Sequence, residues 1–456
     1  MSERIHFGEM MKSFFMRRWF WFKDFLGGGN MWRHYRDVRR IMLHPEESQP
    51  VLEKRLGDIL QYAKSHTGYY SGFEGKALSD FPVVDKNTIR EDYDAFIVGS
   101  KDGYIPRVTS GSTGTMFRAY QDKDSAIRRI ATIKASNEEF GFHSCMPMLY
   151  LRTLEIPEED GSMLRYEKAQ NIWLGYIASY SDAELERVVR FILDRHIRFV
   201  KGYASVIEHL TDFVERTGTA LPRELVFITI SEILTENVRS RIVDRLGLHV
   251  VSQYANEENG LMGQSVPDGP GNVFRLNRAN CKIELLDLDS DEPVSMGQPG
   301  RVVVTDMTNR AMPMIRYDIG DVAVCLEALP DGEPSVIRLL DCRRNDMIYD
   351  TSGNPASMVF PPQVIALPSL RQLQFIQEDV KEYVLNLNMA SDSQNVDCGK
   401  VAQYIKDLLG QDATVHVNIL DEMPQTSARK HKLCIQRCSR YQYRQEVDNN
   451  RNKSGM

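Results

Sequence analysis

Apolar residues recur at three- and four-residue steps through VLEKRLGDILQYAKSH (Val51 to His66), the spacing of one buried helix face. FPVVDKNTIREDYDAF then predicts a loop closed by Asp85 as helix N-cap, with a helix starting near Asn87. A longer helical pattern covers Asp124 to Phe140. Beyond it, short apolar runs alternate with helical ones. MLYLRTL, IRFVKGY, LVFITI and HVVSQYA read as strands, and AELERVVRFILDRH, SVIEHLTDFVERTG and TENVRSRIVDRLG as helices. This alternation predicts an α/β fold whose large N-terminal domain has parallel-sheet layers covered by helices.

From Cys281 the texture changes. CKIELLDL, GRVVVTDM, VAVCLEAL and SVIRLLD are strand-like runs separated by Gly and Pro turns, a β-rich subdomain. A composition shift follows LLDCRRNDMIYDTSGNPAS. YVLNLNM and TVHVNIL flank the helical CGKVAQYIKDLL, which predicts a small C-terminal α/β domain. The expected division is 1–341, 342–438 and a polar tail, 439–456, that reads as disordered.

The 456 residues carry a net charge of −7, which does not suggest a nucleic-acid partner. The charge is uneven. Between Met11 and Arg40 stand eight Lys or Arg against Asp24 and Asp37. Within this segment FFMRRWFWFKDFL (Phe14 to Leu26) is too short and too charged to span a bilayer. Two readings stand: a helix docked on the body of the protein, or an amphipathic helix resting on an anionic membrane surface. Seven scattered cysteines without a C-x-x-C pair, and no legible secretory leader, read as a reduced cytoplasmic chain. His143, His196 and His209 do not fall at ligand spacing, and no H-E-x-x-H is present.

The densest chemical signal is VTSGSTGT, Val108 to Thr115. Glycines let successive backbone N–H groups converge on an anion, and the hydroxyls add donors. No Lys follows Gly114, so this is not the common NTPase phosphate loop. Strand-like residues on both sides distinguish it from a linker. Downstream come QYANEENG (253–260), MIRYDIGD (314–321), DCRRNDMI (341–348) and MPQTSARKHK (423–432).

Taken in order, these five stretches resemble the signature series of adenylate-forming enzymes, the acyl-CoA synthetase superfamily. FPVVDKNTIRED, KGYASVIEHLTDFVERTG and RYDIGD resemble its phenylacetate-CoA ligase branch and relatives in capsular polysaccharide biosynthesis. The resemblance implies that Ser110, Gly111, Ser112, Thr113 and Gly114 hold the β- and γ-phosphates of ATP. It further implies that Glu258 binds Mg²⁺, that Tyr254 lies against the adenine and that Asp321 holds the ribose hydroxyls. Arg343 would open a hinge pivoting at Asn345, and Lys430 would contact the acyl carboxylate and α-phosphate. Pocket residues for the acid would lie around 227–233 and 253–262. The implied cofactors are ATP, Mg²⁺ and, at transfer, coenzyme A. The implied partners are a small carboxylic acid and an acceptor, either that thiol or a sugar-linked group; the branch also forms homodimers. The chain departs from the pattern at Thr115, Ala255, Cys342 and Arg429. These departures carry a second reading, a non-catalytic nucleotide-binding member.

Overall fold

The computed structural model of the chain describes residues 2–109, 117–152, 163–177, 180–343, 348–353, 364, 367, 370–389, 396–421, 423 and 434–438, with backbone alone for 2–10, 341–343 and 371. The chain divides into two compact units. The first holds 1–285, 302–319 and 325–338; the second holds 286–301, 320–324 and 339–456.

The first unit opens with α1 (Ser2–Leu26), α2 (Asn30–Leu43), α3 (Gln49–His66) and the short α4 (Lys86–Glu91). Asp85 caps α4 as expected, its carboxylate accepting from the backbone N–H groups of Asn87 (2.9 Å) and Thr88 (2.8 Å). A hairpin of β1 (Ile105–Thr109) and β2 (Phe117–Gln121) leads into α5 (Lys123–Asn137), which Asp122 caps through the Ser125 N–H.

The alternating pattern then builds the expected parallel sheet. Strands β3 (Met148–Arg152), β5 (Ile172–Tyr176), β6 (Phe199–Tyr203), β7 (Val226–Ile230) and β8 (His249–Asn256) run parallel in the order β5-β3-β6-β7-β8. Helices α6 (Asp182–Asp194), α7 (Ala204–Thr217) and α8 (Glu236–Ser240) form the crossovers, and β4 (Leu164–Glu167) adds an antiparallel edge. Val200, Phe227 and Val250 pack with α6 and α7 on one face, while Phe199, Val226, Ile228 and Val251 join a second cluster. Both faces are buried, which is why these strands read as near-continuous apolar runs. TENVRSRIVDRLG is not one regular helix: after α8 the chain takes a wider π-type turn at Arg241–Arg245, whose Arg241 pairs with Asp212 and Glu215 of α7.

The sheet continues antiparallel through β9 (Gly260–Gln264), β10 (Val273–Leu276) and β14 (Pro334–Arg343), and on to β13 (Tyr317–Ala328), β12 (Pro299–Asp306) and β11 (Cys281–Leu286), twelve strands among the described residues. The second unit has its own four-stranded sheet. There β15 (Leu370–Asp379) pairs antiparallel with β16 (Glu382–Met389), α9 (Cys398–Leu409) crosses to β17 (Thr414–Ile419), and β18 (Cys434–Gln436) lies parallel to β15. Phe375, Tyr383, Leu385, Leu387, Val401, Ile405 and Leu409 fill its core.

One polar node ties the N-terminal helices to α5. The buried Arg128 guanidinium donates to Asp37 Oδ2 (2.7 Å), Asn280 Oδ1 (2.7 Å) and the Ala279 carbonyl (2.9 Å), and Arg55 reaches the same Asp37 oxygen at 2.9 Å. Burial pushes the Asp37 carboxyl up, but the Arg128 and Arg55 charges outweigh it and hold its pKa below the ordinary carboxylate value. Its stabilisation is therefore present above that ordinary value and lost as pH falls through the lower, folded one. Asp37→Asn leaves Arg128 without its counter-charge and is expected to cost about 3 kcal/mol near neutral pH, read from the denaturant midpoint.

Candidate active site

The site begins with a segment far from it in sequence. Val84 forms a parallel bridge to Tyr317 at the start of β13. Its N–H donates to the Arg316 carbonyl (3.0 Å), and its carbonyl accepts from the Asp318 N–H (2.8 Å). Asp85 then starts α4, so Lys86 stands in the helix's first turn. Its Nζ lies 2.9 Å from Glu258 Oε1, 3.3 Å from Thr109 Oγ1 and 5.6 Å from the centre of the Phe117 ring. The Tyr317 hydroxyl donates to the same Glu258 oxygen at 3.3 Å. Burial, then the Glu258 charge and hydrogen bond, push the Tyr317 pKa well above its ordinary value, so it remains a donor.

Thr109 and Phe117 are the last paired residues of the β1–β2 hairpin. The ammonium of Lys86 thus sits at the root of the glycine- and serine-rich run. Ser110, Gly111, Ser112, Thr113 and Gly114 themselves lie outside the described residues, as do Asn345 and Lys430.

Glu258 is buried in the turn joining β8 to β9. The guanidinium of Arg129, on α5, clamps that turn by donating to the carbonyls of Glu257 (2.6 Å) and Asn256 (3.3 Å). The Asn256 side chain accepts from the Asn259 N–H at 2.6 Å. Gly260 closes the turn at φ +78°, and a Cβ there would stand 2.9 Å from Arg129 Nε. Both the left-handed backbone and the clamp require glycine.

Tyr254 precedes this turn on β8. It is buried, with its ring centre 5.4 Å from that of Phe274. Asp321 is partly buried on β13, four residues beyond Tyr317, and belongs to the second unit. Arg343 ends β14.

A further polar cluster follows the carboxyl half of the parallel strands, the end where open α/β sheets bind ligands. Lys201 of β6 donates to Gln253 Oε1 at 3.1 Å and lies 5.8 Å from the Tyr150 ring centre. The Gln253 amide donates to Asn137 Oδ1 (2.8 Å) and Gln264 Oε1 (3.0 Å). Burial lowers the Lys201 pKa from 10.5 to about 8.

The site therefore joins Glu258 to two residues to which the sequence reading assigned no role, Lys86 and Tyr317. Both lie inside stretches that carry the resemblance, FPVVDKNTIRED and RYDIGD. A lysine directly after a helix-capping Asp was the available signal. Lys201 and Arg129 gave none, because their partners lie on strands and turns distant in sequence.

Residues 361–437 match the family model of the CapK C-terminal domain. Protein CapK of Staphylococcus aureus is 21% identical over 427 residues, covering 88% of this chain and 92% of that protein. Phenylacetate-coenzyme A ligase of Pseudomonas putida is 23% identical over 370 residues, 75% of this chain and 80% of that one. The chain is thus similar, over most of its length, to CapK and to phenylacetate-coenzyme A ligase. Among solved structures, 2-hydroxyisobutyryl-CoA ligase in its postadenylation state, in complex with 2-HIB-AMP, superposes with a TM-score of 0.66 at 17% identity. It covers 89% of this chain and 93% of that one, a likeness of fold.

Two outcomes follow from the geometry. Gly260→Ala is expected to cost about 1–3 kcal/mol by forcing both φ and the Arg129 clamp, seen as a lower melting temperature. The Lys201 charge weakens the fold below pH 8, and the penalty lifts as pH rises from about 8 towards 10.5. Lys201→Met should therefore raise stability at pH 7 by up to about 3 kcal/mol, with the gain vanishing above that window in denaturation series.

Proposed function

We propose that this chain activates a carboxylic acid with ATP, releasing pyrophosphate and retaining an acyl-adenylate, and then passes the acyl group to an acceptor. The observation that carries the reading is the meeting of Lys86, Glu258 and Tyr317 at the root of the 110–116 run. A triphosphate needs its charge neutralised where it is held, and in this branch of chemistry the protein works mainly by positioning and electrostatics. The pattern's usual Lys-Pro-Lys after the loop is replaced by Thr115, Met116 and Phe117. Lys86 brings a cation to that place from another part of the chain. Arg118, the nearest basic residue in sequence, is exposed.

In this reading the donors of Ser110, Gly111, Ser112, Thr113 and Gly114 grip the β- and γ-phosphates. Tyr254 borders the adenine, and Asp321 accepts from both ribose hydroxyls. Glu258 offers one hard carboxylate, and no group of three potential metal ligands occurs among the described residues. That fits Mg²⁺, which takes one or two carboxylates and completes its shell with phosphate oxygens and water. The ion would supply charge neutralisation at the leaving pyrophosphate. Lys86 and Tyr317 hold the carboxylate in place from one side. Lys430 stabilises charge at the α-phosphate, and rotation of residues 342–438 about Asn345, opened by Arg343, exchanges it for the acceptor.

The acceptor is the thiol of coenzyme A or a sugar-linked group of surface-polysaccharide assembly. The acid's tail lies near 227–233 and 253–262, where Gln253 belongs to the Lys201 network.

The test is acid-dependent exchange of labelled pyrophosphate into ATP with Mg²⁺, across aryl, acyl and hydroxy acids. One acid should give exchange, and added coenzyme A should give a thioester or leave the adenylate for another acceptor. Glu258→Gln and Lys86→Met should each lower the exchange rate about 100-fold or more; Lys86→Met should also lower the melting temperature, because it leaves the buried Glu258 without its counter-charge. ATP binding without exchange for any acid would replace this reading with the non-catalytic one.

A further inference from the structure

The aromatic run of α1 carries apolar residues all round the helix, so periodicity alone assigns it no inner or outer face. The structure assigns both. On the inner side Ser13 is buried, Trp21 packs its ring against Trp32 (5.0 Å) and Tyr35 (5.2 Å), and the Lys134 ammonium sits 4.4 Å from the Phe20 ring centre. Asp24 accepts from the N–H groups of Met31 (3.0 Å) and Trp32 (2.8 Å) and so fixes α1 to the start of α2. The helix is docked, as one of the two sequence readings expected.

Docking leaves the other side bare. Phe15, Trp19, Phe22 and Leu26 follow one another at steps of four, three and four, one line along the helix, with Phe25 beside them. They are 61%, 56%, 49%, 68% and 75% exposed. Lys12, Arg18 and Lys23 stand exposed around them; Lys23 lies over the Trp19 ring (5.3 Å), Arg18 over Phe14 (5.6 Å), and Lys12 beside the Tyr166 ring (5.3 Å). The neighbouring α2 adds the exposed Arg33 and Arg36, while its Arg39 pairs with Glu138 (3.3 Å) and its Arg40 lies 3.8 Å from Asp37. The two acids of the segment are taken up inside, Asp24 as a cap and Asp37 by Arg128 and Arg55. The surface is thus positive on a chain whose net charge is −7.

We infer that this face of α1 is an interfacial anchor that lies flat on an anionic lipid surface, sinking Phe15, Trp19, Phe22, Phe25 and Leu26 among the acyl chains while Lys12, Arg18 and Lys23 meet the headgroups. Among the described residues no helix is long and apolar enough to cross a membrane, so the contact is peripheral. An aromatic stripe rimmed by long cationic side chains matches the headgroup–acyl boundary in both polarity and charge. A second copy of the chain fits worse, because a two-fold contact through this face would bring its cationic rims together. The inference is independent of the adenylation reading.

The experiment is sedimentation of the full chain with vesicles of phosphatidylcholine alone and of phosphatidylcholine mixed with phosphatidylglycerol. The mixed vesicles should carry the protein down, added salt should release it, and Trp emission should shift to the blue. Replacing Phe15, Trp19 and Phe22 together by Ser should weaken binding at least about tenfold while leaving pyrophosphate exchange and melting temperature unchanged. Lys12→Gln, Arg18→Gln and Lys23→Gln together should weaken it about tenfold or more. Failure to bind the mixed vesicles overturns the inference. A dimer in sedimentation velocity that the Ser substitutions disperse, without vesicle binding, would assign the face to a second copy instead.

Discussion

The contact between Lys86 and Glu258 organises the candidate site. A carboxylate buried without a counter-charge would be costly, so the turn between β8 and β9 can hold Glu258 only because an ammonium is delivered to it. That delivery depends on a chain of backbone events. Val84 adds to the start of β13, Asp85 stops the extended segment by capping α4, and Lys86 emerges in the first turn. The same ammonium reaches Thr109 at the end of β1. One cation thereby joins three segments separated by large stretches of sequence: the 84–91 segment, the hairpin that carries the glycine- and serine-rich run, and the β8–β9 turn.

Much of the fold was legible because it is written locally. The strands and crossovers from Met148 to Asn256 announce themselves as apolar runs alternating with amphipathic ones, and the Asp85 cap falls where side-chain chemistry puts it. Edge and short elements were not legible. The four residues of β4 mix apolar and charged side chains at a sheet edge, and β18 has only three residues. The π-type turn after α8 is set by where Arg241 finds Asp212 and Glu215, and no local propensity encodes that. Of the site, Glu258 and its turn could be read from a motif, while the identity of its partner could not. Pairing between Lys86 and Glu258 spans most of the first unit in sequence, and a single chain carries no signal of such a contact.

The departures from the superfamily pattern take on physical content in this setting. Where the pattern has Thr, Glu257 presents its carbonyl to Arg129, so the turn is held through its backbone and tolerates a different side chain. Ala255, where the pattern has Gly, sits at an irregularity in the β8–β9 register, just past Tyr254. Gly260, by contrast, is constrained twice over, by its φ and by the guanidinium packed against it.

Among the described residues the β1–β2 hairpin forms a two-stranded sheet apart from the main sheet. A two-stranded ribbon of this kind is marginal by itself and relies on contacts outside it, here the burial of Phe117 and Ala119 and the hydrogen bonds that Asn309 and Tyr93 donate to the Tyr120 and Arg118 carbonyls. Its backbone can therefore fray and re-form while the main sheet stays intact. The amides of 105–109 and 117–121 would therefore exchange their hydrogens sooner than those of β6 to β8.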